Sequence, residues 1–455
     1  QMLTAEEQAA YRRLSVFQDG FLLQAAGAVA DISASDLAAL AAKSLLAQQP
    51  DGRYRIHGLL RQYGAELLER SDHEYADIHD RHCRYFLTRL AGYEEALTGG
   101  DQRAALDDIE SDIGNFRLAW NRAGQQRWAD LITDATHAFW LFHVMRGWMR
   151  EGAAAFGAML EALGQGSDDG PQTTGIMLAH AESLSRYGGF QSGLGRYDEA
   201  VAQLAQGVAL LRGLDATREL GLALNMLSAT HHLKGDLQES KRLLQESLAC
   251  YRQVEDQWGI AFSLNDLGLV SHMLDERGEA ERFCEQSQAM FRKIGDRRGN
   301  AFATYNLGMI AARDGNHERA RRLYWESLTL RQDSHDQWGT AASLIQLGTE
   351  SAALGAPAEA RVFLLRAMRI AWGSSVTPVV LDALVGLVTL SIDAGDDADA
   401  VETLAAVLAH PAAHGQLRSK VSNLIQRYDL PITPNAQPDR WAVKKVDTIV
   451  RQLME

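Results

Sequence analysis

The sequence predicts an almost entirely α-helical protein with one small β-hairpin near its start. Only 8 of the 455 residues are proline and 46% are hydrophobic, a composition that favours helices packed around a sizeable core. From about residue 173 the same pattern returns every 40 residues, as the aspartates Asp256, Asp296 and Asp336 show. Pro50-Asp51-Gly52 supplies the turn residues of a hairpin. We therefore expect a mainly all-α fold that contains a helical repeat array.

Composition and charge narrow the function classes. The formal net charge of −14 argues against binding nucleic acid or an anionic membrane through the bulk surface, and no apolar run reaches the roughly 20 residues of a membrane span. The start at Gln1 is acidic, unlike a secretory signal. Cys83, Cys250 and Cys284 are widely spaced, which is typical of buried thiols in a reducing compartment. We expect a cytoplasmic location, and we expect the chain to be part of a longer protein.

Three helices and the hairpin are predicted in the first seventy residues. Thr4 followed by Glu6 and Glu7 is a helix start with acidic groups near the positive end of the helix dipole. A second helix is predicted over 21–30, and a third, capped by Ser33 or Ser35, runs to about Lys43. Residues 45–47 and 53–56 then pair around the turn. This order predicts a winged helix-turn-helix over residues 1–70.

The predicted third helix is poorly suited to DNA. Its residues 36–43 offer Lys43 as one base-reading candidate and Asp36 as a repelling carboxylate. Residues 1–70 hold seven Lys and Arg against eight Asp and Glu, a net charge of −1. A sequence-specific reader needs several basic or amide side chains on that helix together with charge that neutralises phosphates. We therefore interpret this module as a protein-packing winged helix that binds no nucleic acid.

A lone histidine stands between the hairpin and the next helix. His57 follows the strand residues Tyr54 and Ile56 and precedes a helical pattern formed by Leu59, Leu60, Tyr63 and Leu67. One hypothesis is that neighbouring backbone groups satisfy the imidazole. The other is that it contacts a ligand, since side chains at such junctions are free to do so.

Ile56-His57-Gly58 resembles the strand–histidine–helix element of the winged helix in STAND-class signalling ATPases, the NB-ARC group. The segments 14–21 and 43–46 also resemble bacterial members of this class. The resemblance implies that His57 contacts the β-phosphate of ADP bound to a neighbouring nucleotide-binding domain and helps to hold the resting state. It also implies that ATP or ADP is the cofactor of the full-length protein.

The phosphate-binding loop of that class is missing here. A Walker A loop needs Lys followed by Ser or Thr after a glycine, and no lysine of this chain follows a glycine. We therefore predict that this chain is not an enzyme, holds no cofactor itself and has no catalytic residues.

A helical connector is predicted over residues 71–172. Residues 107–120 resemble the acidic helix of the same family. His73, His79, His82 and Cys83 are candidate metal ligands. Because no carboxylate-rich or Cys-x-x-Cys partner set follows them, we interpret the histidines as surface residues and predict no metal site.

The repeat array is predicted over residues 173–410 as six units in phase. Each unit carries a turn residue and, five positions later, a small residue where two helices cross. The turn residues are Gly195, Gly235, Asp275, Gly315, Gly355 and Gly395; the small ones are Ala200, Ser240, Ala280, Ala320, Ala360 and Ala400. The pattern resembles the 40-residue variety of tetratricopeptide repeats (TPR), with residues 411–455 as capping helices around a linker at Pro431, Pro434 and Pro438.

In TPR arrays the first helix of each unit lines a groove, and its inward positions carry over onto this sequence. Asn225 and Asn265 occupy equivalent positions in successive units, and so do His232 and His272. Polar side chains repeated in this way predict a ladder of hydrogen-bonding groups that binds a peptide backbone or a polar small molecule. Tyr305, Met309 and Arg313 complete the predicted effector groove. The alternative is an ordinary solvated surface, since every array presents some residues there.

These observations predict the sensor region of a STAND signal-transduction ATPase. A protein, peptide or small-molecule effector binds the array, and the winged helix relays this to a nucleotide-binding domain upstream. One alternative is a free-standing TPR scaffold for protein interactions, and a second is a DNA-binding transcriptional regulator.

Overall fold

The computed structural model describes residues 3–164, 173–333, 336–374, 376–395, 399–432 and 440–454. These residues form helices joined by short turns, together with a two-stranded antiparallel sheet, which confirms the predicted mainly helical fold class. Contacts divide the chain into two compact units. The first comprises residues 1–97, 104–142 and 157–180, and the second comprises 98–103, 143–156 and 181–455.

The chain begins with three helices, a hairpin and a fourth helix: α1 (Ala5–Leu14), α2 (Leu23–Ala30), α3 (Ala34–Ala42), β1 (Ala47–Gln48), β2 (Tyr54–Arg55) and α4 (Gly58–Leu68). Capping boxes open α1 at Thr4 and α3 at Ser33. The second helix begins at Leu23, two residues later than predicted, because Phe21 forms an antiparallel bridge with Tyr54. The order of elements is that predicted for a winged helix.

The connector continues with α5 (Asp72–Ala91), α6 (Glu94–Thr98), α7 (Gln102–Ser111), α8 (Ile113–Gln126), α9 (Ala129–Arg146) and α10 (Met149–Gly164). Its acidic segment has a packing role. The amide of Asn115 donates to the backbone oxygens of Gln18 at 2.9 Å and Gly20 at 3.0 Å. The carboxylate of Asp112 accepts hydrogen bonds from the guanidinium groups of Arg53 and Arg89. Asn115 and Asp112 therefore hold the turn before α2 and the hairpin strand against α8.

The interpretation of the connector histidines as surface residues is wrong for His82. Its side chain is 1% exposed and its Nε2 lies 3.2 Å from Oδ1 of Asn115, because α5 packs on α8. Burial lowers the pKa of His82 to about 4. Cys83 is also buried, and its thiol donates to the oxygen of Ala119 at 3.1 Å. The residues that the structure describes contain no group of three or more His, Cys, Asp or Glu that could hold a metal ion.

The repeat array is a series of helix pairs: α11 (Thr173–Gly193), α12 (Tyr197–Gly213), α13 (Thr217–Lys234), α14 (Leu237–Gln253), α15 (Gln257–Met273), α16 (Arg277–Ile294), α17 (Arg297–Arg313), α18 (His317–Asp333), α19 (Gln337–Ala353), α20 (Pro357–Gly373) and α21 (Thr377–Asp393). All six predicted turn residues have a positive φ, between 66° and 96°. The six small residues that follow them are buried. The 40-residue phase found in the sequence is therefore the phase of the helix pairs.

The three aspartates of the repeat cap first helices of the array. Asp256, Asp296 and Asp336 each accept a hydrogen bond from the backbone of the glycine three residues later, at 2.8 to 3.0 Å. Asp296 also accepts from Nε1 of Trp258 in the preceding unit, at 2.8 Å. This side chain therefore fixes both a helix start and the junction between two units.

The first helices of successive units pack on one another. Contacts run from α13 to α15, α17, α19 and α21, whereas the second helices of neighbouring units contact one another less. This asymmetry places the first helices on the inner side of the array. We call the surface formed by α13, α15, α17, α19 and α21 the inner groove.

After α21, the described residues form three helices: α22 (Ala400–Ala409), α23 (Gly415–Arg427) and α24 (Arg440–Met454). Helix α24 packs on α22 and α20, burying Ala442, Val446 and Val450. Of the three predicted linker prolines, Pro434 and Pro438 lie outside the described residues. Among the described helices, none is by itself long and apolar enough to span a membrane; α2 and α3 meet that criterion only when taken together, and they meet at 106°.

Candidate ligand-binding groove

The two asparagines of the predicted polar ladder lie between helices and not on the open groove. Asn225 and Asn265 are only 1% and 2% exposed. The hydroxyl of Ser263 donates to Oδ1 of Asn225 at 3.3 Å, and the amide of Asn306 donates to Oδ1 of Asn265 at 2.9 Å. The polar ladder does exist, but its two asparagines form hydrogen bonds that join neighbouring first helices.

In three units the partly exposed residue directly follows the position that the sequence phase predicts, whereas in α17 Tyr305 itself is partly exposed and Asn306 is buried. Met226, Asp266 and Gln346 directly follow the predicted positions and are partly exposed. Sequence reasoning missed Asp266 and Gln346, although a charged or amide residue within an otherwise apolar helix was a signal that could have found them. Burial raises the pKa of the Asp266 carboxyl to about 7.

Tyr305 and Met309 lie in the inner groove as half-buried side chains. The hydroxyl of Tyr305 accepts a hydrogen bond from Nε2 of Gln346 at 3.1 Å. The guanidinium of Arg331 lies 4.8 Å from the centre of the Tyr305 ring, within the range of a cation–π interaction. Tyr305 is therefore held from two sides, while Met309 offers a polarizable apolar contact.

Arg313 links two units at the end of α17. Its guanidinium donates to the backbone oxygen of His272, and its Nη2 lies 3.3 Å from Oδ1 of Asp275. The side chain of Arg313 is 39% exposed, whereas His272 is 6% exposed. Burial, and secondarily the charge of Arg313, lowers the pKa of His272. Of these two predicted residues, Arg313 is the accessible one.

His232 lies at the C-terminal end of α13, where the C-terminal region of the chain covers it. The amide nitrogen of Gln416, from α23, donates to Nε2 of His232. Burial lowers the pKa of His232 to about 4, and neighbouring His414 lowers it further. The imidazole is therefore neutral at pH 7 and acts as a hydrogen-bond acceptor.

Apart from Arg313 and its partner Asp275, the polar groups of the groove carry little formal charge. The lowered pKa values of His232 and His272 keep both imidazoles uncharged at neutral pH, and the raised pKa of Asp266 brings its carboxyl close to half-protonation there. Such a lining supplies donors and acceptors without strong charge selectivity, which suits an uncharged polar segment such as a peptide backbone.

His57 occupies a different place, in the first unit. It is the residue before α4, with φ −60° and ψ 139°, and its side chain is exposed. In the part of the chain that the structure describes, the side chain of His57 makes no capping hydrogen bond to the start of α4. Leu59 and Tyr63, on the same helix, are 74% and 54% exposed. We call His57, Leu59 and Tyr63 the α4 face.

The rest of α4 is anchored to α1. The hydroxyl of Tyr11 donates to the oxygen of Leu60, and a Cβ on Gly64 would lie 2.9 Å from Cβ of Ser15. The α4 face is therefore presented by a helix whose other side is fixed. On the third helix, the base-reading candidate Lys43 donates instead to the carboxylate of Glu7, and Asp36 belongs to the capping box of Ser33.

Known proteins show similarity to parts of the chain. The family model for the tetratricopeptide repeat matches residues 219–293, 259–333 and 299–371. Proteins of Mycobacterium tuberculosis and Mycobacterium bovis that are named as HTH-type transcriptional regulators are 34% identical over 173 residues, or 35% of this chain. The match spans only 19% of the length of those relatives.

Solved structures share the helical architecture. NprR in complex with its cognate peptide NprX aligns with 75% of this chain and 99% of its own, at 11% identity and a TM-score of 0.53. A STAND protein with a tetratricopeptide repeat sensor from Pyrococcus horikoshii aligns with 99% of this chain and 66% of its own, at 14% identity and a TM-score of 0.46. The family match and the phased helix pairs identify residues 219–371 as an array of tetratricopeptide repeats.

Proposed function

We propose that this chain is the sensor region of a STAND-class signalling ATPase, in which the array binds an effector and residues 1–70 act as a winged helix that relays binding to a nucleotide-binding domain. The observation that carries the proposal is the α4 face. His57 directly precedes α4 and is exposed, and α4 itself exposes Leu59 and Tyr63 while its other side is anchored to α1. An exposed imidazole at the start of a helix that also exposes apolar and aromatic side chains fits a partner domain that presents a phosphate group.

The relay depends on contacts that differ between the resting and the open arrangement of the two domains. His57 donates a hydrogen bond to the β-phosphate of ADP, which the absent domain holds with its own phosphate-binding loop, and Leu59 and Tyr63 pack against that domain. An effector that binds better to the open arrangement shifts the population away from this contact. The chemistry of nucleotide hydrolysis belongs to the partner domain, and this chain supplies the sensing contacts.

The relay is tested by replacing His57 with alanine in the full-length protein. Loss of one charge-assisted contact to phosphate should increase ADP release and raise basal activity several-fold. His73→Ala is the matched control, since it removes another exposed histidine from the same unit. Unchanged nucleotide retention and basal activity in His57→Ala would contradict the proposal.

For the array, we propose a peptide or a short protein segment as the effector. NprR, whose fold this chain shares, is a peptide complex, and the inner groove offers neutral donors and acceptors beside Met309 and Arg313. The test is retention of proteins and peptides from the native cell by the immobilised chain. Met309→Glu combined with Arg313→Ala should abolish specific retention. Trp325→Ala, which removes a 44% exposed aromatic side chain from the second helix α18, should leave retention unchanged.

DNA binding is the second candidate function, because the mycobacterial relatives are named as HTH-type transcriptional regulators. A winged helix that reads DNA would use α3, whose Lys43 bonds to Glu7 in this structure. An electrophoretic mobility titration at low salt, repeated at higher salt, separates the two candidates. Tight, sequence-dependent binding that Lys43→Ala weakens would favour the DNA-binding function, whereas weak, sequence-independent binding would favour the sensor.

A further inference from the structure

The C-terminal region does not only end the array. After α22 the chain returns through the loop 410–414 and continues as α23; we call residues 410–427 the strap. The strap contacts α12 and α13 at one end of the array and α21 at the other. A capping element would contact only the last units, as α24 does.

The strap contacts both ends of the array through specific bonds. At the early end, the hydroxyl of Tyr197 donates to the oxygen of Ala412 at 3.3 Å, and Gln416 donates to Nε2 of His232. At the late end, Nε2 of His414 lies 3.0 Å from Oδ2 of Asp382 on α21. His232 belongs to the predicted effector groove, so the strap lies where an effector is expected.

Backbone approaches its partners closely at two points of the strap. A Cβ on Gly195 would lie 2.5 Å from Cβ of Ala412, and a Cβ on Gly415 would lie 2.6 Å from the oxygen of Lys234. These separations leave no room for larger side chains at Ala412 or Gly415. The early end of the array therefore selects small residues in whatever segment it holds.

The strap is preorganised but incompletely packed. Arg418 donates to the backbone oxygens of Ala413 at 3.0 Å and Leu408, which fixes the shape of the loop. Beside α23, however, a cavity of about 570 Å³ remains, lined by Leu237, Met273 and Leu424 together with the cationic Lys234, Lys420 and Arg427. The strap is thus a rigid element, held mainly by its N-terminal part, with unfilled space under its helix.

We infer that the strap is an internal occupant of the inner groove and that a peptide effector binds there by displacing it. This inference rests on the proposed peptide-sensing function. The strap also indicates the chemistry of its competitor: a segment with small residues where Ala412 and Gly415 lie, and a hydrogen-bond donor at the position of His414, facing Asp382. A tethered occupant acts at an effective concentration in the millimolar range, so it reduces the apparent affinity of any competing peptide.

The experiment uses the whole chain and a fluorescent synthetic peptide with the sequence of residues 406–418. Gly415→Ala places a methyl group against the oxygen of Lys234 and should push the strap from α13 without changing any groove side chain. Gly278→Ala is the matched control, because a Cβ there meets nothing within 4 Å. We expect about tenfold tighter peptide binding to Gly415→Ala than to the wild type or the control, together with faster hydrogen exchange in residues 410–427.

Three outcomes are informative. Equal peptide affinity and equal exchange in Gly415→Ala and the wild type would overturn the inference. If Gly415→Ala does not fold, as circular dichroism would show, Gln416→Ala tests the same contact by removing the donor to His232, with the same expected result. Retention of a native effector in the groove while the strap stays protected from exchange would overturn the inference and leave the proposed function standing.

Discussion

Nε2 of His414 lies 3.0 Å from Oδ2 of Asp382, a residue 32 positions earlier in the sequence. The other ring nitrogen, Nδ1, accepts the backbone hydrogen of Leu417 at 3.1 Å. Because Nδ1 is an acceptor, the proton lies on Nε2, which donates to the carboxylate. The side chain of His414 therefore caps α23 and also connects the strap to α21, which is the first helix of the last unit.

We predict that His414→Ala loosens the strap because it removes two of its contacts. It removes the cap of α23, which is worth about 1 kcal/mol in typical cases, and the bond to Asp382. Hydrogen exchange in residues 410–427 should become faster while the helices α15 to α18 stay protected. A double-mutant cycle with Asp382→Ala should show a coupling of roughly 0.5 kcal/mol or more. Strictly additive effects would show that the two side chains do not act together.

Asp112 is predicted to be the most sensitive carboxylate of the first unit. Its side chain is 2% exposed and pairs with Arg53 and Arg89, so Asp112→Ala leaves two guanidinium groups without their buried partner. The free energy of unfolding should fall by about 3–5 kcal/mol, measured by chemical denaturation. Asp77→Ala breaks an ion pair with Arg81 whose side chains are 44% and 40% exposed, and should change stability by less than about 1 kcal/mol.

The stability of the first unit should depend on pH through His82. Its pKa is lowered to about 4 in the folded chain from an ordinary value of about 6.5, so the unfolded chain binds the proton first as pH falls. Stability from this group is therefore fully present above about pH 6.5 and is lost between there and pH 4. Between pH 7 and 5 the loss should be about 2 kcal/mol, measured by hydrogen exchange of α5 and α8.

His82→Gln provides the comparison. Glutamine retains a donor toward Oδ1 of Asn115 but does not titrate, so the variant should lose less stability on acidification than the wild type. An equal loss in both proteins would show that other groups produce the pH dependence.

Gly268 belongs to a Leu-Gly pair that recurs at residues 307–308 and 347–348, and it should tolerate no side chain. A Cβ on Gly268 would lie 2.4 Å from Sγ of Cys284, a close contact between the two helices of one unit. Gly268→Ala should therefore destabilise the array by about 1–3 kcal/mol, measured by thermal unfolding. Gly278→Ala, at an open position of the same unit, should leave the melting temperature unchanged or raise it slightly.

Local patterns in the sequence determined most of the fold. The positive φ at Gly235, the cap at Asp256 and the burial of Ala280 all follow from short-range requirements of turns, helix starts and helix crossings, and each recurs every 40 residues. Because the same weak local signals recur in every unit, together they predict one repeated structure. The prediction of an array with a helical module before it therefore needed no knowledge of distant contacts.

Tertiary structure decided which side chains are accessible. Asn225 and Asn265 had the right phase but are buried, while Asp266, one residue after Asn265, reaches the groove. Successive residues of a helix point in directions about 100° apart. Which of them faces the groove depends on how the helix is rotated against its neighbours, and only packing sets that rotation. Likewise, His82 was expected on the surface, but α5 packs this face on α8. The strap depends on contacts such as Gln416 with His232, 184 residues apart, because no local pattern records which distant segment comes to lie in a groove.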